Sequence, residues 1–497
     1  MKILSNSVSL LVLAVVLGAC ATTPPPTVKP EDMPKAYQAP AAETDKQVSA
    51  DWWKSFDSKE LAGFIDEAHA SNLDLATAAA RVAEAQAQAG TSIAALFPAV
   101  QVEGSAKRAA SSPSSTLFGS RTGNSFGLNG AASYELDLWG QNFNGYRAGR
   151  ENARAALYYQ DTVRITTDAN VASAYFTVLA LRERIDVARK NIEAAKRILA
   201  ITQAKVSNGV LSNLELAQQT AQVLGEEANI PHLEELEREQ RNALAILLGR
   251  MPGTLKVDAA TLDNLSAPPV QSGLPATLLT RRPDIKQAEA SLMAAHADLD
   301  AARAAFLPGV SLSAGGGWSH DTIGGLISPE NLAWSLGASV VQTIFDGGRL
   351  TSQRDYYKGR EQELLAAYRT AVLNALNDTE TQIGSVTSYS EQERLTTDQV
   401  KNAQEAFRIS ELQYREGVVD LLTVLQAQQT LFSAQDQLIQ IKLARLQSGV
   451  GLYRALGGGW DVAQDADKSL RNTFIPVPDL TDLPIPDPAN LPAALPF

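Results

Sequence analysis

Four histidines and one cysteine are the whole supply of metal-ligating nitrogen and thiol sulfur in this chain of 497 residues. They leave no Cys/His cluster and no disulfide, which argues against a zinc site and against a thiol enzyme. His320-Asp321 has the residue types of a proton relay, but no nucleophile accompanies it, and it reads as a loop pair at a strand end. Gly315-Gly316-Gly317 and Gly457-Gly458-Gly459 lack the strand, spaced glycines and lysine of a phosphate cradle. Lys+Arg number 43 against 55 Asp+Glu, a net charge of −12, which argues against a nucleic-acid partner. No paired acid and base is evident, so no catalytic residue is assigned and the chain reads as a non-enzyme. Aromatics make up only 6%, thin for one large globular core and better suited to close-packed long helices.

The residue with chemistry left to do is Cys20. Met1-Lys2 is followed by an apolar run, Val8 to Leu17, too short to span a bilayer as a helix. It reads as the core of a signal peptide, residues 1–19. Leu17-Gly18-Ala19-Cys20 resembles a bacterial lipobox, in which the cysteine thiol takes a diacylglycerol after cleavage. That would be a covalent lipid, with no other cofactor, and it would tether the chain without spanning the membrane. Ala21 at the next position favours the outer membrane, by resemblance to bacterial sorting. An ordinary secretion signal with an incidental cysteine is the alternative. No later apolar run reaches about 18 residues, so any crossing would have to use β-strands.

Proline marks out the elements. Six prolines lie between Pro24 and Pro40 and seven between Pro476 and Pro496, which makes both ends extended or irregular. None falls between Pro113 and Pro231, and only Pro329 between Pro308 and Pro476, so two very long helices are permitted. Pro231 predicts a kink where it falls. Ile185, Ile192, Leu199 and Val206 recur by sevens, with Ala188, Ala195 and Thr202 three residues later. This is a left-handed coiled-coil seam with small residues at its second position. The arm ending at Gly209 begins near Tyr146 on this reading.

The chain also repeats itself. Asn208-Gly209-Val210-Leu211-Ser212 matches Glu416-Gly417-Val418-Val419-Asp420, and the same offset aligns heptad positions on both sides of the glycine. Each half is therefore a long helical hairpin with its turn at Gly209 or Gly417. An antiparallel coiled-coil spacer would show the same period.

Four segments alternate apolar with small or polar residues, near 98–108, 125–138, 309–319 and 331–344. Each is about the length of a transmembrane strand. A soluble sheet on a globular core would alternate in the same way. If the strands do cross a membrane, four cannot close a barrel, and open edges are not tolerated in hydrocarbon. Two copies would supply eight strands and three would supply twelve; the small inward faces favour the wider barrel.

Several of these segments resemble the outer-membrane factor (TolC-like) family, in its lipoprotein (NodT-like) branch that serves RND efflux systems. They are Tyr134-Glu135-Leu136-Asp137-Leu138-Trp139-Gly140, Arg282-Pro283-Asp284-Ile285, Ala304-Ala305-Phe306-Leu307-Pro308, Phe345-Asp346-Gly347-Gly348 and Gly417-Val418-Val419-Asp420-Leu421-Leu422-Thr423-Val424-Leu425. The resemblance implies an α+β membrane protein, a homotrimeric duct with a 12-stranded transmembrane β-barrel and a periplasmic α-helical barrel. It implies an outer-membrane channel that passively conducts small solutes from an inner-membrane RND-type pump and a periplasmic adaptor. The Gly209 and Gly417 turns would form the periplasmic tip. Some members close that tip with a ring of aspartates just after the second turn. Here the positions that look equivalent are Thr423 and Gln426, with Gln218 opposite Gln426 in the first half. Glu215 and Asp420 are the nearby acids, and Asp420 reads equally as a helix N-cap. A neutral ring would close by hydrogen bonds. Arg282-Pro283-Asp284 reads as a helix start and receives no chemistry, and the charged run from Glu234 to Arg241 reads as a solvated helix face.

The expected organisation is a signal peptide (1–19), a lipidated Pro-rich segment (20–51), two efflux repeats (52–264 and 265–460) and an acidic Pro-rich tail (461–497). A non-conducting envelope scaffold and an exit duct for secreted polypeptides are the alternatives.

Overall fold

The computed structural model describes residues 25, 27–39, 49, 51–110, 122–263, 265, 274–458 and 460. Cys20 and the tail from 461 lie outside them. The first half contains α1 (Lys59–Ser71), α2 (Leu73–Ala94), β1 (Ala99–Ala110), β2 (Thr122–Leu136), α3 (Gln141–Ser207) and α4 (Asn213–Leu247). The second contains α5 (Pro283–Ala304), β3 (Gly309–His320), β4 (Leu332–Val341), α6 (Arg349–Glu416) and α7 (Leu421–Ala455). The strands form one antiparallel sheet in the order β1-β2-β3-β4.

α3 and α6 have 67 and 68 residues, roughly 100 Å each. α3 starts at Gln141, five residues before the start near Tyr146 read from the heptads. Its cap is not an adjacent Ser or Thr. The Asp137 carboxylate accepts from the amides of Asn142 and Phe143 across a left-handed Gly140, φ 75°. Asp346 serves Gly348 and Leu350 in the same way at the start of α6. α4 continues through Pro231. The charged run behind Pro231 is not wholly solvated: Arg182 of α3 donates to Glu237 at 2.9 Å.

Each strand continues into a column of helix. β2 runs on to α3 and β4 to α6, while α2 leads into β1 and α5 into β3. The shorter columns are each made of two helices meeting end to end. Asn72 Nδ2 donates to the last carbonyl of α4, Leu247 O, at 2.8 Å, while its Oδ1 caps the first turn of α2. In the second half Arg282 bridges the end of α7 and the start of α5. Its Nη1 donates to Ala455 O at 3.0 Å, and its fork holds Asp284 at 3.0 and 2.6 Å, with Asp378 of α6 at 3.5 Å. The Arg-Pro-Asp segment thus has a structural task that its reading as a plain helix start missed. Carbonyls at a helix end carry partial negative charge, so a guanidinium fits the joint.

The main core lies at this level. Trp52, Phe56, Leu61, Ile65, Tyr175, Phe176 and Leu179 form one buried cluster. A second gathers Leu278, Ile285, Leu292, Tyr368 and Val372 under Met33 of the N-terminal segment. That segment is pinned to α6, because Glu380 accepts the amides of Gln38 and Ala39.

The chain turns sharply beside each joint. Gly249 and Gly457 have φ of 69° and 74°, and a Cβ on either would run into the carbonyl oxygen of Ser71 or Arg281. Gly249→Ala and Gly457→Ala should each cost more than about 2 kcal/mol, from left-handed strain plus the clash. Gly225→Ala, in open space within α4, should instead stabilise by up to about 1 kcal/mol. The midpoint of helix loss on heating, followed by circular dichroism, checks all three.

Candidate functional site

Two regions distinguish this molecule from a plain rod: the sheet at one end and the helical tips at the other. In the sheet, pairing register aligns residue types across all four strands. Val100, Ala132, Ala314 and Leu336 form one row, and Val102, Gly130, Gly316 and Trp334 the next. On the other face the rows are Gln101, Ala131, Gly315 and Ser335, then Glu135, Ser311 and Ser339. The Ser311 and Ser339 hydroxyls meet at 2.7 Å. One face is therefore apolar and the other small and polar across its width.

Neither face is covered. Val100, Trp334 and Leu336 are about three-quarters exposed, at 75%, 74% and 75%. A contiguous apolar face of this kind marks a membrane or partner contact. β4 ends at Val341, three residues short of the 331–344 stretch read from the alternation, where its partner β3 begins at Gly309. His320 contacts Asp321 and the amide and hydroxyl of Thr322 in the following loop, as a loop pair at the strand end would.

At the tips both turns are built alike. α3 ends with Gly209 at φ 72°, its amide on Val206 O and that of Val210 on Lys205 O. α6 ends with Gly417 at φ 79°, its amide on Tyr414 O and that of Val418 on Gln413 O. Both are left-handed glycine caps. Ser212 and Glu215 form a capping box on α4. Asp420 caps α7, accepting from Thr423 N at 2.9 Å and Thr423 Oγ1 at 2.7 Å. Three of the residues singled out in sequence, Glu215, Asp420 and Thr423, are thus engaged in capping.

Gln218 and Gln426 are exposed, on α4 and α7, and the structure does not bring them together. Both helices pack on α3, which separates them. Any ring containing them would need further copies of the chain. The fully buried amides are those of their near neighbours, Gln219 and Gln428; Gln219 Nε2 donates to Ala195 O at 2.9 Å.

The contact that ties the two hairpins near the tip escaped the sequence reading. Tyr414 of α6 is buried, its hydroxyl 2.8 Å from Thr202 Oγ1 of α3. The Lys205 ammonium donates to Tyr414 O and lies 4.5 Å from the ring centroid. A threonine at a seam position, otherwise filled by alanine, was the available signal. Each turn also exposes apolar side chains at matching places, Val210 and Leu214 in one and Val418 and Leu422 in the other.

Comparison with known proteins gives a consistent picture. The family model for outer membrane efflux protein matches residues 64–250 and 274–458. The chain is similar to the pyoverdine export outer membrane protein OpmQ of Pseudomonas aeruginosa, 38% identical over 92% of this chain and 97% of that one. It is 31% identical to the probable efflux pump outer membrane protein TtgC of Pseudomonas putida, over 91% of this chain and 95% of that one. Among solved structures, the outer-membrane channel OprN aligns with a TM-score of 0.83 at 27% identity, covering 88% of this chain and 100% of that one.

The tip caps should respond to acid. Hydrogen bonds from Ser212 hold the Glu215 carboxyl below its ordinary 4.5, and those from Thr423 hold Asp420 below its ordinary 3.8. A depressed carboxyl contributes stability above its unfolded value and loses it as pH falls through the folded one. Amide exchange in the first turns of α4 and α7, corrected for intrinsic rates, should therefore speed up below about pH 4. Asp420→Asn should remove that pH dependence from α7 while keeping most of the cap.

Proposed function

This chain belongs to the outer membrane efflux protein family, and we propose that three copies of it build one passive duct through which small solutes leave the cell. It is an outer-membrane efflux protein that extends into the periplasm. In the proposed assembly the three sheets form a 12-stranded barrel, and the helical columns continue it downwards as a tube. A periplasmic adaptor holds the tips and an inner-membrane RND-type pump supplies the energy, so the duct performs no catalytic step. Cys20, freed by removal of residues 1–19, carries a lipid that adds a second hold on the membrane. The solute is selected by the pump; the relatives matched above are named for pyoverdine export and for efflux pumps.

The observation that carries this reading is the sheet. Its apolar face suits lipid and its small polar face suits water, a division that a non-conducting scaffold does not need. The matched apolar residues on the two turns, Val210 and Leu214 with Val418 and Leu422, support a protein partner at the tip. Gln218 and Gln426 are kept as candidates for the closing constriction, made by hydrogen bonds between copies.

The trimer reconstituted in planar bilayers should give discrete single-channel currents. Silent bilayers from a pure trimer would favour the scaffold instead. Gln218→Ala combined with Gln426→Ala should raise the basal conductance several-fold. Unchanged conductance would remove both residues from the constriction.

A further inference from the structure

The sheet is asymmetric along its strands. The helices join it at one end, where α2 and α5 lead in and α3 and α6 lead out. In a protein that extends into the periplasm, the opposite end, past Ala110 and His320, faces outwards. The apolar face differs between these ends. At the helical end its rows are Leu136, Val310 and Val340, then Tyr134, Leu312 and Ala338. At the outward end Arg108 of β1 stands opposite Asn124 of β2, and both are exposed. Side chains alternate along a strand, so Arg108 shares the apolar face with Val100 and Val102, while adjacent Lys107 shares the polar face with Gln101.

The internal repeat shows that the architecture does not call for a cation there. Ala94-Ala95-Leu96-Phe97-Pro98-Ala99-Val100 recurs 210 residues later as Ala304-Ala305-Phe306-Leu307-Pro308-Gly309-Val310, and after the hairpin loops the offset is 208, which carries Gly140 to Gly348. The first offset takes Arg108 to Trp318 and the second takes Asn124 to Leu332, and these two are themselves a cross-strand pair. The same place in the second hairpin is therefore filled by apolar side chains. Tryptophan collects where hydrocarbon gives way to head groups, so its equivalence with Arg108 sets the arginine at head-group depth.

The protein supplies no counter-charge on that face. Among the described strand residues the acids are Glu103 and Glu135, both on the polar face, and Arg108 has no ion-pair partner among the described residues. From Lys107 to Arg121 the sequence contains three cations and no Asp or Glu. In the second hairpin Asp321 is engaged by His320 at 3.1 Å.

We propose that Arg108 and Asn124 form a binding site for the phosphate of an outer-leaflet glycolipid, whose acyl chains lie along the apolar face. The inference rests on the reading above that this face meets lipid, and adds the head group it takes. A guanidinium receives a phosphate through two parallel N–H donors, which a lysine ammonium cannot do. The Asn124 amide donates and accepts, and so serves a phosphate or a sugar hydroxyl. Further into the face, Phe126, Leu128 and Trp318 offer apolar surface to the chains. The outward leaflet of an outer membrane carries its phosphate mainly on glycolipid, which decides the source.

Full-length protein stripped of lipid, then titrated with the bisphosphorylated lipid A anchor of lipopolysaccharide, should show discrete adducts by native mass spectrometry. Arg108→Gln should weaken that binding about fivefold, the weight of one basic residue at an anionic membrane surface, with strand content unchanged by circular dichroism. Lys107→Gln removes the same charge from the other face and should leave the binding as it was. Equal loss from both variants would reduce the effect to bulk charge and overturn the site. Undiminished binding by Arg108→Gln, equal binding of dephosphorylated lipid A, or tighter binding of phosphatidylglycerol would each overturn it as well. All of these results leave the duct standing. A protein that stays soluble without detergent and takes up no lipid of any kind would overturn the membrane reading of the sheet, and this inference with it.

Discussion

An amide or carbonyl left unpaired in hydrocarbon costs several kcal/mol, and a row of them along a strand edge cannot be maintained there. This molecule presents two such rows, on β1 and β4, flanked by apolar side chains that water also disfavours. Other features of the sheet follow from how that constraint is met. The division of the sheet into an apolar and a small, polar face suits the proposed piece of wall. Its edges are long, and in the proposed assembly each would be covered by an identical chain. Soluble proteins blunt an exposed edge with lysine, proline or a bulge; only Lys107 and Arg108, near the far end of β1, act in that sense here.

The helical part is continuous with the sheet: four strands continue into four columns. Two columns are single helices, and two are joined from shorter ones. Asn72 and Arg282 occupy equivalent places at those joints with different chemistry. An amide serves where one carbonyl and two amides need satisfying; a guanidinium serves where a helix end and two carboxylates converge. Breaking the columns there lets the chain turn back at Gly249 and Gly457 and surround the joint with its largest apolar core. Away from the joints, small residues such as Ala188 and Ala195 allow close approach, and larger buried side chains such as Ile198, Phe407 and Phe432 fill the seam nearer the tip.

Much of this was legible before any coordinates. The glycine pair, the 208-residue offset and the period-2 strands all depend on local rules, of left-handed caps, heptads and alternation, and the strand and hairpin positions follow from them. The ends of elements were less legible. The caps of α3 and α6 come from aspartates several residues upstream, and β4 stops where its pairing with β3 runs out at Gly309. Side-chain partnerships between distant segments were least legible. Nothing in a one-dimensional pattern says that Tyr414 meets Thr202, that Arg282 reaches Ala455, or that Gln219 is buried while adjacent Gln218 is exposed. Those depend on which face of a long helix turns inward, and a small error in helical phase changes the answer. Gln218 and Gln426 lie on different helices, α4 and α7, each packed on α3.

The central claim is that one chain supplies a third of a closed wall and cannot seal it alone. Native mass spectrometry of the lipid-modified protein, released from detergent micelles under gentle activation, tests it most directly. The account predicts a dominant species of three chains that sheds monomers only as the sheet unfolds. A stable monomer that keeps its full strand content would contradict it.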